Sequence, residues 1–224
     1  MITHLLPSHG ILSAYGMLVH TTGDGLAQKC LQSGDPVTST VETYSNMKEG
    51  PHYAITPDGT LIKFREPTTV AWHAGVTAAD RQTYLTGAWE TKVDARIVDW
   101  WKLRWPGRKS PQHLYPGKSP NEAYVGVELV PCGVYQNASW TPVMGTPATP
   151  KGRYTAAQYT RLALLYTSLF PNRPDQSRLL GHEDVNPISR PGYDPGAYHG
   201  WFSWSLLNGM VDAMLLDGVK GNEH

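Results

Sequence analysis

The chain has 224 residues, and 19 Lys plus Arg balance 19 Asp plus Glu to a formal net charge of zero. The basic residues are scattered singly, so no cationic face exists for a polyanion, which argues against nucleic-acid binding. A mean hydropathy of −0.38, with no apolar run approaching ~18 residues, excludes a membrane-spanning helix.

Gly and Pro are abundant (22 and 18) but follow no period, the mark of a loop-rich domain rather than of disorder. A chain of this length buries a substantial core without metal or disulfide staples, so stability does not have to explain any metal ligands. Cys30 and Cys132 lack CxxC spacing, which leaves buried thiols or a single bridge open.

Met17-Leu18-Val19 reads as a buried strand delivering His20 to a glycine-rich loop, Thr21 to Gly25. A short helix is expected from Thr38 to Met47. His52 to Ile55 and Thr60 to Phe64, joined by Thr-Pro-Asp-Gly, have the turn chemistry of a β-hairpin, in which His52 reads as structural. Residues 76–120 look like an insertion carrying Trp89, Trp100, Trp101 and Trp105, with an amphipathic helix from Arg96 to Trp105. These tryptophans are either packing aromatics or a sugar-stacking platform, and their spacing does not separate the two.

Tyr124 to Val130 predicts a central strand with Glu128 inside it. A buried carboxylate needs a cation, hydrogen-bond donors or a raised pKa; alternatively, period-two alternation puts Glu128 on a solvated face. Pro131 to Arg153 is turn-rich. Thr155 and Gln158 make a capping box that opens a helix through Phe170. Arg178 to Gly181 is a short strand leading to His182, then a Pro/Gly-rich loop runs to Gly196. Trp201, Trp204, Leu207, Val211 and Met214 mark a last amphipathic helix. Alternating strands and helices without a linker predict a single α/β domain over 1–224, a mixed central β-sheet flanked by helices.

His20 and His182 at strand ends, with Asp194 in the loop beyond, are the neutral imidazoles and carboxylate that a catalytic zinc uses when it keeps one position open. Nine histidines also allow many chance triples, so spacing alone leaves this as one reading among several.

The segments LVHTTG (Leu18 to Gly23), HYAITPDGTLIKF (His52 to Phe64), AWHAG (Ala71 to Gly75), NEAYVGVEL (Asn121 to Leu129) and GHEDVNPISRPGYDPG (Gly181 to Gly196) together resemble, in order, the zinc N-acetylmuramoyl-L-alanine amidases. That family includes phage amidase lysozymes, muropeptide-recycling amidases and peptidoglycan recognition proteins. The resemblance implies an amidase-like fold, a Zn2+ cofactor held by His20, His182 and Asp194, and Glu128 as general base. It implies peptidoglycan or muropeptides as partner, with hydrolysis of the amide between N-acetylmuramic acid and L-alanine. One departure is visible: the recycling enzymes carry a Lys two residues before the ligand Asp, where this chain has Gly192, and Arg190 is the nearest cation to hold the oxyanion. His73 of AWHAG matches a family His that is not a ligand and is expected to line the cleft or support a ligand.

Within that resemblance a phage-type lysin, made in the cytoplasm without a classical signal peptide and acting on the wall after release, is the leading expectation. A monomer is expected. The competing readings are a recycling amidase, a peptidase of the stem, and a binding module that holds stem peptides without cutting them.

Overall fold

The computed structural model describes all residues except 8, 9, 11, 48, 116, 118, 132, 137, 138, 143–152, 173–177, 193 and 221–224. Its elements in chain order begin with β1 (Ile2–Thr3), β2 (Gly16–Thr21), α1 (Gly23–Ser33), α2 (Pro36–Ser45), β3 (Tyr53–Ile55) and β4 (Leu61–Lys63). They continue with α3 (Ala78–Thr86), α4 (Ala95–Arg104), β5 (Tyr124–Leu129), β6 (Gly133–Gln136), β7 (Ser139–Pro142), α5 (Ala156–Leu169), β8 (Leu179–Gly181), α6 (His182–Val185) and α7 (Trp204–Lys220). Six strands form one sheet in the order β1-β4-β3-β5-β2-β8, and only the β3–β4 hairpin is antiparallel. The expected mixed sheet flanked by helices is therefore the observed one.

Strand side chains alternate between two faces. Met17, Val19, Val125, Val127 and Leu179 point to the face covered by α5 and α7, where Leu162, Tyr166, Leu207 and Val211 complete the main core. The opposite face is shared. Over β3 and β4 lie α1 and α2, with Leu26, Cys30 and Tyr44 against Ala54, Ile62 and Phe64. Over β5, β2 and β8 lie Tyr84, Trp89, Val98, Trp101 and Trp105, packed on Leu18, Tyr124 and Leu180. Residues 76–120 thus contribute a wall of the core rather than an appended lobe. Trp89 and Trp101 are fully buried and meet edge to face with ring centres 5.1 Å apart; Trp100 alone of the four stays half-buried.

Several local expectations are corrected. The glycine-rich stretch after His20 is not a loop: Gly23 and Gly25 belong to α1, an element concealed by the poor helix propensity of glycine. His182 opens the one-turn α6 instead of entering a loop directly. Trp201 lies before α7, and the turn-rich stretch after Pro131 contains the β6–β7 hairpin. The capping box at α5 is present as read, with Thr155 accepting from the Gln158 amide and Gln158 accepting in return. Cys30 is a buried free thiol; Cys132 lies outside the described residues, and so does any pairing with it.

Replacing Trp101 by Ala should remove a fully buried ring and strand the Asp184 carbonyl that its indole N–H bonds at 2.8 Å. We expect a loss of about 3–5 kcal/mol in urea unfolding. A change under about 1 kcal/mol would mean that residues 76–120 fold apart from the sheet.

Candidate metal centre and its cleft

The site stands where the two helical layers on the second sheet face part, at the carboxyl ends of parallel strands. His20 on β2 and Glu128 on β5 are register partners, and Ala54 on β3 flanks Glu128 from the other side. His182 follows β8 directly. What holds it there is Asp184, whose carboxylate accepts from the Gly181 amide at 2.7 Å, from Arg104 Nε at 2.8 Å and from the Trp105 indole at 2.9 Å. Asp194 is pinned at both ends of its residue. Its Oδ1 accepts from the Thr21 amide at 2.7 Å and its carbonyl from the Glu183 amide at 2.7 Å.

These anchors bring three donor atoms together. His20 Nδ1 lies 3.1 Å from His182 Nδ1, His182 Nδ1 lies 3.0 Å from Asp194 Oδ2, and the third edge measures 3.8 Å. All three residues are buried, and the group can hold a metal ion. Ligands about 2.0–2.1 Å from a tetrahedral zinc stand roughly 3.3 Å from one another, so the triangle has the right size.

The tautomer of His20 follows from its other neighbours. The Tyr124 carbonyl can only accept, so His73 Nε2, 3.0 Å away, carries the proton. His73 is kept neutral, its pKa driven well below the ordinary value by burial and then by His20 and His52 nearby. Its bare Nδ1 therefore accepts from His20 Nε2 at 2.9 Å, which leaves His20 Nδ1 with a free lone pair facing the cluster. The His73 ring lies against Gly126, where any Cβ would collide with it. His52, fully buried, accepts from the Gly126 amide at 2.9 Å and donates to the Thr69 carbonyl at 2.6 Å.

Glu128 is half-buried at the cleft floor, and its Oε2 has no hydrogen-bond partner among the described residues. Burial and then the Asp194 charge raise its pKa well above the carboxylate range, opposed by Arg190 and by a hydrogen bond from Tyr44. Burial alone would also raise Asp194, but the contacts with His182 and His20 outweigh it and hold that carboxyl low. Arg190 borders the cleft with Nε 3.3 Å from Asp194 Oδ2. At Gly192, with φ +77°, a Cβ would stand 2.7 Å from Tyr198, so the position where the resemblance expects Lys has been given over to an aromatic contact.

The cleft encloses about 670 Å³ and gathers His20, His73, Glu128, His182, Arg190 and Asp194. It also holds residues that the sequence reading passed over: Tyr44, Trp72, Arg153 and Trp201. Trp72 was recoverable, as the exposed neighbour of His73 in AWHAG. Tyr44 and Trp201 reach the cleft through tertiary packing, for which no local pattern exists.

The site is thus a buried His-His-Asp cluster that could hold a metal ion, beside a carboxylate at the carboxyl end of a mixed sheet. The model of the N-acetylmuramoyl-L-alanine amidase family matches residues 13–197, and the chain belongs to that family. Among solved structures, a mutant of PlyL is similar with a TM-score of 0.51 and 11% identity over 95% of this chain and 98% of that one. A selenomethionine derivative of AmpD follows at 0.49 and 18%, covering 93% and 94%. The amidase LysC from Clostridium intestinale URNW gives 0.44 and 14%, covering 95% and 98%. No curated protein matches the sequence.

Burial lowers both His20 and His52 to about 4. Because the unfolded chain takes up these protons near pH 6.5 and the folded one only near 4, their contribution is complete above 6.5 and is lost as pH falls through that window. The metal-free protein should lose on the order of 2–4 kcal/mol per histidine between these values. His52→Gln should flatten the slope, as read by urea unfolding at stepped pH; an unchanged slope would show that His52 is charged in the fold.

Proposed function

We propose that this chain is a zinc-dependent peptidoglycan hydrolase that cleaves the amide between the lactyl group of N-acetylmuramic acid and L-alanine of the stem peptide. The observation that carries this reading is the buried convergence of His20 Nδ1, His182 Nδ1 and Asp194 Oδ2 at zinc-ligand spacing, beside Glu128, in an amidase-family chain. When bound there, zinc supplies a Lewis acid that makes hydroxide accessible near neutral pH.

The rest of the chemistry falls to the chain's own groups. Glu128 accepts the proton of the attacking water and delivers it to the departing L-alanine nitrogen. Its raised pKa owes part of its height to the Asp194 charge; with a dication held by His20, His182 and Asp194, that repulsion would be offset and Glu128 would be available as a base. Tyr44 lines the cleft together with Glu128. Arg190 supplies positive charge where the carbonyl oxygen becomes anionic. His73 passes the Tyr124 carbonyl's orientation on to His20 and keeps Nδ1 of that ring turned to the metal.

Mass spectrometry of soluble products from purified sacculi should show free stem peptides beginning at L-alanine, absent after chelation and restored by zinc. Products cut within the stem would make the chain a peptidase, and zinc uptake without products would make it a binding module. Glu128→Gln should keep zinc while slowing release by roughly 10²–10⁴-fold; full activity would remove Glu128 as the base. His73→Ala should weaken zinc about 10–100-fold in a chelator competition. Unchanged affinity in that variant would show that the Tyr124–His73–His20 chain plays no part in holding the metal.

A further inference from the structure

One buried cation of the cleft takes no part in the chemistry above. Arg153 is only 5% exposed, yet it borders the same cavity as His20 and Asp194. Its guanidinium lies 4.9 Å from the centre of the Trp201 ring, on which His199 also stacks at 4.7 Å with the planes 26° apart. Trp201 is itself seated over Gly196, two residues beyond Asp194. A guanidinium laid against an aromatic face keeps its fork of donors fixed, so it loses little freedom when an acceptor arrives.

A second donor belongs to the same wall. Thr22 borders the cleft at the head of α1, a helix of 11 residues, and its hydroxyl does not cap that helix. Its Oγ1, like that of Thr21, is buried with no hydrogen-bond partner among the described residues. A buried hydroxyl left unbonded costs free energy until an acceptor reaches it, and the helix end beside it carries partial positive charge. Both donors are anchored at one place. Tyr154, next to Arg153, donates to the Pro195 carbonyl at 3.0 Å, and the amide of Thr21, next to Thr22, donates to Asp194 Oδ1 at 2.7 Å. Arg190, with Nε 3.3 Å from Asp194, is already engaged there.

We propose that Arg153, seated on Trp201, and Thr22 at the head of α1 form a carboxylate-reading element that makes the enzyme select stem peptides by the charge of the residue after L-alanine. The inference rests on the function proposed above and goes beyond it, because the metal cluster treats all stems alike and this wall does not. The residue after L-alanine is a γ-linked glutamate whose α-carboxyl group, a few bonds from the nitrogen released at the cluster, is either free or amidated. A free carboxylate offers two oxygens to the guanidinium fork and accepts from a hydroxyl as well. A carboxamide turns an NH2 group toward donors and leaves at least one of them unbonded.

The test compares two soluble compounds on the full chain: N-acetylmuramoyl-L-alanyl-γ-D-glutamate, with a free carboxylate, and its D-isoglutamine analogue, with a carboxamide in that place. The wild type should favour the acid by roughly 10–100-fold in kcat/KM, carried mainly by KM, and should bind it more tightly in calorimetry. In Arg153→Gln the ratio of the two substrates should fall to near one. Thr22→Val, which removes the hydroxyl but no capping bond, should lower it roughly threefold to tenfold, and this variant decides the matter if Arg153→Gln does not fold. A wild type that cuts and binds both compounds equally would overturn the proposal, as would a ratio that neither substitution changes. Equal losses on the two substrates, carried by kcat, would overturn it too and put Arg153 at the scissile carbonyl instead. If the wild type cuts neither compound, the amidase reading falls, and calorimetry still decides the element: a preference for the acid that Arg153→Gln or Thr22→Val removes upholds it, and equal binding overturns it.

Discussion

The parallel pairing of β2 with β5 on one side and β8 on the other is what everything at the site depends on. In that register His20 and Glu128 become neighbours although 108 positions separate them, and the end of β8 delivers His182 to the same edge. A slip by one residue would turn every side chain of β2 to the opposite face, so His20 would enter the apolar layer beneath α5 and α7. The apolar alternation of Met17, Leu18 and Val19, buried on both faces, resists such a slip. The hydrophobic pattern of three residues thus sets the position of a candidate metal ligand.

Around this frame, polar groups are placed by partners rather than by solvent. Asp184 collects donors from Gly181, Arg104 and Trp105 on its carboxylate and from Trp101 on its carbonyl, and in doing so ties α4 to the turn that bears His182. Asp194 is tied to Thr21 and Glu183, and His20 to His73. Glu183, buried with its pKa raised to about 8 by burial and by Asp184, accepts from the Ala197 amide and so fixes the loop beyond Asp194. Where these partners end, buried polar atoms stay unpaired among the described residues: Oε2 of Glu128, Nε2 of His182 and Oε2 of Glu183.

Much of this was legible in the order of residues. Strand-end histidines, a carboxylate inside an apolar strand and a hairpin with Pro-Asp-Gly all carry local signals, and the structure brings His20, His182, Asp194 and Glu128 into one cleft. What escaped was set by contacts far along the chain. Gly23 and Gly25 gave α1 a poor helical signature, yet Leu26 and Cys30 have apolar partners to cover and the helix forms. Trp201 matched a helical period by chance, while its ring found a place over Gly196 instead. Whether the tryptophans of residues 76–120 packed or faced outward was undecidable from spacing, because the answer lies in the sheet beneath them: three cover Leu18, Tyr124 and Leu180, and one does not.

The Asp184 anchorage has a further consequence for assembly. Its bonds to Trp101, Arg104 and Trp105 span about 80 residues of sequence, and the contact between His20 and His182 spans 162. Closing loops of that size costs entropy that only a nearly complete core repays. The cluster is therefore expected to assemble late, and on the proposed function a metal ion would be captured only once the domain is nearly complete. A nascent chain exposes its histidines singly, without the geometry that would draw an ion into a premature, misordered complex.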